Sequence, residues 1–188
     1  RIIAQCDNGI AFLTRTRQSA VDYQIGRLSG AEYLRRIIDD LPNVYVYHTF
    51  FMDRTSFTNL SSAGLMNVED SADLRAAISE YYEVYGKRLN DNNALLDKEA
   101  IAYYESTFPL QSALESGRLD IAGRLTTAQN VDIYMRLPSV REKLLSGDLI
   151  PATDRLILRV VDYKDILVEM RRLNREAARL LREQAVAS

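Results

Sequence analysis

The chain has 188 residues, 47% of them hydrophobic and 27% charged, with a formal charge of −2. That balance suits a globular fold and excludes a disordered or low-complexity chain. The absence of a basic excess argues against a nucleic-acid partner. Cys6 is the only cysteine and His48 the only histidine, so an internal disulfide and the usual zinc sites are excluded, and the length suits a single domain spanning 1–188.

No run of about 18 apolar residues crosses a bilayer. The sequence nevertheless begins at Arg1, already helical in pattern from Ile2, and we expect that a signal peptide, membrane anchor or cloning boundary lies upstream. Gln5 before Cys6 disfavours lipidation there. A small apolar position on a helix is the simpler role for Cys6.

From Ile2 to Leu28, Ile3, Cys6, Ile10, Leu13, Ala20, Val21, Ile25 and Leu28 recur at helical spacing and predict a first long helix. Ser29-Gly-Ala-Glu32 has the spacing of a capping box. The helix it opens carries Tyr33, Leu34, Ile37, Ile38 and Leu41 and ends before Pro42. Val44 to Phe51 has strand propensity, but no second strand pairs with it, so a helix or an extended crossing is expected. A short helix from Thr55 to Ala63 carries Phe57 and Leu60, and Gly64 with Leu65 has the form of a left-handed cap with its apolar clasp.

Asp70 or Ser71 caps a helix with a stripe of Leu74, Ala77, Ile78, Tyr81, Tyr85 and Leu89. After Asn90 to Asn93 the stripe resumes at Leu95, Leu96, Ala100, Tyr104 and Phe108. We expect one long helix to Thr107, with a solvated bend at the asparagines rather than a calcium loop, since the central glycine and terminal glutamate are missing. Pro109 to Leu149 is punctuated by Gly117, Gly123, Gly147 and Pro138 and predicts short irregular pieces. Pro151 to Ala185 then sets Leu156, Val160, Tyr163, Leu167, Met170, Asn174, Ala177, Leu181 and Gln184 in a heptad seam that weakens towards its end. The first helix is its expected antiparallel partner. The fold class is all-α: an antiparallel helical bundle with long N- and C-terminal helices, a long tyrosine-rich central helix and short irregular helices.

No catalytic motif accompanies this pattern. His48 is better explained as a surface or satisfied histidine than as a base, and neither a serine-nucleophile elbow nor a phosphate-binding glycine loop occurs. No cofactor, metal or catalytic residue is expected. Eleven tyrosines without a tryptophan are explained most simply as packing with polar tips. The sharper alternative is a pocket in which Tyr81 and Tyr85 meet Arg54, Arg75 or Arg88 and hold an organic acid. On the last helix, eight basic residues face six acidic ones between Asp154 and Glu183. Pairs such as Glu169 with Arg172 and Glu176 with Arg179 absorb much of that charge. The alternative is contact with anionic lipid or an acidic partner.

Ser56 to Tyr82, SFTNLSSAGLMNVEDSADLRAAISEYY, resembles the central signature of an uncharacterised family of bacterial membrane-anchored proteins. Phe57, Leu60, Ser62, Gly64, Leu65, Leu74, Arg75, Ile78 and Tyr82 carry the likeness, and the long last helix is similar in kind. The arginine content and the segment before Arg54 depart from the pattern. The resemblance implies one N-terminal transmembrane helix, an inner-membrane location with the helical domain facing the periplasm, and no assigned catalytic residues. Gly64, Leu65, Ile78 and Tyr82 are then structural. The resulting expectation is a non-enzymatic extracytoplasmic sensor or scaffold. The alternatives are an accessory subunit docking through its C-terminal helix, on a protein partner or a second copy, and a domain that binds an organic acid. A cytoplasmic location is the alternative to the periplasmic one.

Overall fold

A computed structural model describes residues 1–40, 52, 55–62, 72–116, 138, 142 and 146–187. The expected segment from Val44 to Phe51, with His48, lies outside them, as do Arg54, the Gly64-Leu65 corner and the glycines at 117 and 123. Among the described residues every regular element is helical: α1 (Ile2–Gln24), α2 (Gly30–Asp40), α3 (Thr55–Ser62), α4 (Ala72–Ser79), a π-helical turn at Glu80–Tyr85, α5 (Gly86–Ser116) and α6 (Leu149–Ala187). The all-α class with long terminal helices is thus as the periodicity predicts.

The chain packs as two compact units, one gathering Ile3–Tyr47 with Leu95–Val161, the other His48–Ala94 with Asp162–Ser188. Both boundaries between them after residue 90 fall inside helices, α5 and α6, rather than in a linker. No shift of composition therefore marks them.

In the first unit α1 buries Cys6, Gly9, Leu13, Thr16, Ser19 and Ala20. Most are small, which lets neighbouring helices approach closely. The helix ends at Gln24, four residues before the expected end, because Gly26 adopts φ +75°. Its N–H donates to the Tyr23 carbonyl at 3.0 Å, and the Arg27 N–H donates to the Asp22 carbonyl at 2.7 Å. This is the Schellman pattern of a left-handed cap, and it leaves Ile25 57% exposed.

Past that turn the capping box forms as predicted. The Ser29 N–H and Oγ both donate to Glu32 Oε2, at 2.9 and 2.7 Å, and the Glu32 N–H donates back to Ser29 Oγ at 3.3 Å. α2 then buries Tyr33, Leu34 and Ile37. The Tyr33 ring stacks on Tyr23 with centroids 4.9 Å apart, and burial, reinforced by the neighbouring phenol, pushes its hydroxyl pKa well up.

α6 enters through Gly147, whose φ is +85°. Pro151 sits in its first turn, where a missing N–H costs nothing, and the buried Thr153 hydroxyl donates to the Leu149 carbonyl at 2.6 Å. Arg17 of α1 pairs with Asp154, and the Gln24 side chain fills the space where a Cβ on Gly147 would stand. Advancing seven residues along α1 thus retreats seven towards the start of α6, which makes the two antiparallel here, as expected. On its other side α6 meets α5 through Arg155 and Glu99 at 3.1 Å. These exposed pairs mark register more than they stabilise, each contributing at most about 1 kcal/mol.

Three expectations about the long helices need correction. α5 continues through Pro109 to Ser116 instead of ending at Thr107; residues such as Leu110, Gln111 and Ala113 after it favour helix enough to carry the turn. The asparagines are not a solvated bend, for Asn92 and Asn93 are 7% and 6% exposed and lie in register with buried Leu89 and Leu96. Leu95, expected in the stripe, is 42% exposed. Weak helix propensity is overridden here by packing. Finally, the α6 seam holds from Leu156 to Met170, but Leu173 rather than Asn174 is buried next, and Leu181 is 51% exposed.

Three measurements test these local causes. Ser29→Ala should cost about 1 kcal/mol in urea unfolding. The Ser29 side-chain and backbone hydrogen bonds hold the Glu32 pKa below its usual value. The stability this adds is complete above the unfolded pKa of about 4.3 and is lost as pH falls through the lower folded value. The Tm deficit of Glu32→Gln should accordingly be largest near neutral pH and shrink in acid. Separately, Gly26→Ala meets open space and should cost only its left-handed strain, about 1–2 kcal/mol. Gly147→Ala must also displace Gln24, so it should cost more, with part of the difference recovered in Gly147→Ala/Gln24→Ala.

Candidate functional site

The candidate site belongs to the second unit and begins with the turn that joins α4 to α5. Ala77 and Leu89 are both buried, yet twelve residues of unbroken α-helix would set them about 120° apart. At Glu80–Tyr85 the helix widens, with the Gly86 N–H donating to the Tyr81 carbonyl five residues back. The wider turn absorbs an extra residue, roughly 100° of rotation, and returns Ala77 and Leu89 to nearly one face. Gly86 is buried there, with the Met52 side chain packed where a Cβ would be.

This turn presents Tyr81 and Tyr82 side by side, their rings edge to face at 4.9 Å. Phe57 of α3 stacks on Tyr82 with centroids 4.5 Å apart and planes within 13°. Such contact adds about 0.5–1.5 kcal/mol beyond burial. Phe57, Ala77, Ile78, Tyr81 and Tyr82 form one wall of a half-open groove of about 260 Å³, and Leu173, Asn174, Ala177, Ala178 and Leu181 of α6 line it as well. Its described lining is apolar apart from Asn174 and the tyrosine hydroxyls. Burial, with Tyr82 beside it, pushes the Tyr81 pKa up, so this phenol stays neutral at physiological pH and can only donate or accept a hydrogen bond.

Of the residues expected to hold an organic acid, Tyr81 alone lines the groove. Arg88 lies over the Tyr85 ring at 5.4 Å, and neither these two nor the half-buried Arg75 is among the lining residues. Arg54 lies outside the described residues. Ile78 and Tyr82, expected to be structural, are in the groove wall. The α6 half of the site was missed as a site, although its signal was present. Asn174, Ala177 and Ala178 put small side chains on a face where large apolar ones precede them, and a helix that loses volume on its packing face leaves a depression.

Charge on α6 is distributed unevenly around the groove. Arg172 pairs with Glu169 at 2.8 Å and Glu176 at 2.9 Å, and Arg179 with Glu183 at 2.7 Å. The pairing of Arg179 is therefore with Glu183, one turn on, rather than with Glu176 as expected. Arg171, Arg175 and Arg182 are exposed, and no carboxylate pairs with them among the described residues.

Among the described residues no group of His, Cys, Asp and Glu gathers to hold a metal ion, and no helix is long and apolar enough to cross a membrane. Cys6 is buried in α1. No family model, curated protein or solved structure matches the chain.

Because the Phe57–Tyr82 stack stands in the groove wall, Phe57→Ala should lose about 3–5 kcal/mol in chemical denaturation. Tyr82→Phe keeps the ring and should stay within about 0.5 kcal/mol of the parent. Equal losses in the two variants would mean that the Tyr82 hydroxyl, not the stack, holds this wall.

Proposed function

We propose that this chain is a non-enzymatic scaffold domain that docks a protein partner through the groove between the Tyr81-Tyr82 turn and the C-terminal part of α6. The observation that carries the reading is the groove itself: a recess with an aromatic wall and an alanine-rich wall suits the insertion of apolar side chains from a partner, as in helix-in-groove recognition. Its described lining holds no charged side chain of the kind that would grip a small organic acid. The docking reading is therefore preferred over the ligand-sensing one.

The resemblance around Ser56 to Tyr82 suggests the setting: a domain tethered to a bacterial inner membrane and facing the periplasm. Under that reading the partner belongs to the same compartment, and the scaffold contributes position rather than chemistry.

The test is purification of the tagged full-length protein from its native cells, with Ala177→Glu alongside. A stoichiometric partner should accompany the parent protein and be absent from the variant, whose helix content and Tm should match the parent. A partner retained equally by Ala177→Glu would remove the groove from the reading. A wholly cytosolic parent protein would remove the tether.

A further inference from the structure

Resting on the docking reading above, we propose that the groove selects one occupant: an amphipathic partner helix that inserts apolar side chains into the groove and carries a row of carboxylates along the edge facing α6. Ala178 lines the groove. Arg171, Arg175 and Arg182 stand seven and three residues before it and four after it, the positions that share its face of an α-helix. Three exposed guanidinium groups thus border the groove on its α6 side.

The neighbouring arginines give the contrast. Arg172 and Arg179, one position round the helix, are neutralised within α6 by Glu169, Glu176 and Glu183. Among the described residues, Arg171, Arg175 and Arg182 have no such carboxylate. The three glutamates of this stretch, Glu169, Glu176 and Glu183, are all spent on the other row. The groove edge retains its charge, and an acidic row on a bound helix would complete it. Such rim pairs select partner and orientation more than they add affinity.

Two other occupants fit less well. A second copy in a symmetric pair sets the same patch against itself, which crowds both arginine rows along one seam. A bilayer surface takes up protruding apolar side chains, whereas the apolar surface here is a recess between two helical walls.

The test uses the whole chain and two synthetic helical peptides, each with leucines one turn apart and a row along one edge, of glutamates in one and lysines in its twin. Calorimetry should find the acidic peptide bound roughly tenfold more tightly than its twin, with the difference shrinking as salt is raised. Reversal at Arg171→Glu, Arg175→Glu and Arg182→Glu should invert the preference; the triple Gln variant should abolish it. Ala177→Leu, which fills the groove, should block both peptides, with Leu181→Ser as a second groove variant should Ala177→Leu perturb folding. Equal binding of the twins, blocked by Ala177→Leu, would overturn the acidic partner and leave the docking groove standing. Binding that survives both groove variants, or no binding of either peptide, would overturn both. Self-association dispersed by Ala177→Leu, or binding to anionic vesicles lost on charge reversal without any peptide binding, would assign the surface to the other occupants.

Discussion

A helix that buries both Ala77 and, a little over three turns later, Leu89 works against its own periodicity, which in plain α-helix would set the two about 120° apart. The wide turn at Glu80–Tyr85 resolves that conflict, and much of the second unit follows from it. By taking up one extra residue it sets Gly86 under Met52 and displays two successive tyrosines on the surface that Phe57 covers. Tyr81 and Tyr82 both line the groove. Wide turns of this kind often occur at functional sites.

The other wall depends on what α6 lacks. In the first unit α6 buries Leu149, Ala152, Thr153, Leu156 and Val160, and in the second Tyr163, Ile166, Leu167, Met170 and Leu173. Beyond Leu173 the packing face carries Asn174, Ala177 and Ala178, too small to meet the aromatic wall. Their shortfall in volume is the groove. The same stretch settles its electrostatics, since intrahelical pairs withdraw Arg172 and Arg179 from interaction and leave Arg171, Arg175 and Arg182 along the rim.

Much of this was legible in the residues. Ser29 and Glu32 announce their mutual hydrogen bonds through spacing alone, because a capping box needs only one turn of chain. The apolar periods of α1, α2, α4 and the first five turns of α6 are local in the same sense. The helix end at Gly26 was not read, because the apolar pattern continues through Ile25 and Leu28 while the chain turns at φ +75°. Nor were the asparagines of α5, since Asn92 and Asn93 are poor helix formers that a buried face nevertheless accepts, and the Asn92 Oδ1 finds no hydrogen-bond partner among the described residues.

The sequence by itself determined the all-α class, the approximate extent of the long helices, the α2 cap and the exclusion of a disulfide or a usual zinc site within these 188 residues, because each depends on residue types or on spacings within a turn or two. Only the tertiary structure decided where the helix widens, which of Leu95 and Leu96 or Leu173 and Asn174 is buried, and that Phe57, Tyr81 and Ala177 line one recess. Those outcomes depend on side chains from separate stretches of the chain, such as Met52 and Gly86 or Phe57 and Ala177, competing for the same space, and no local period encodes that competition.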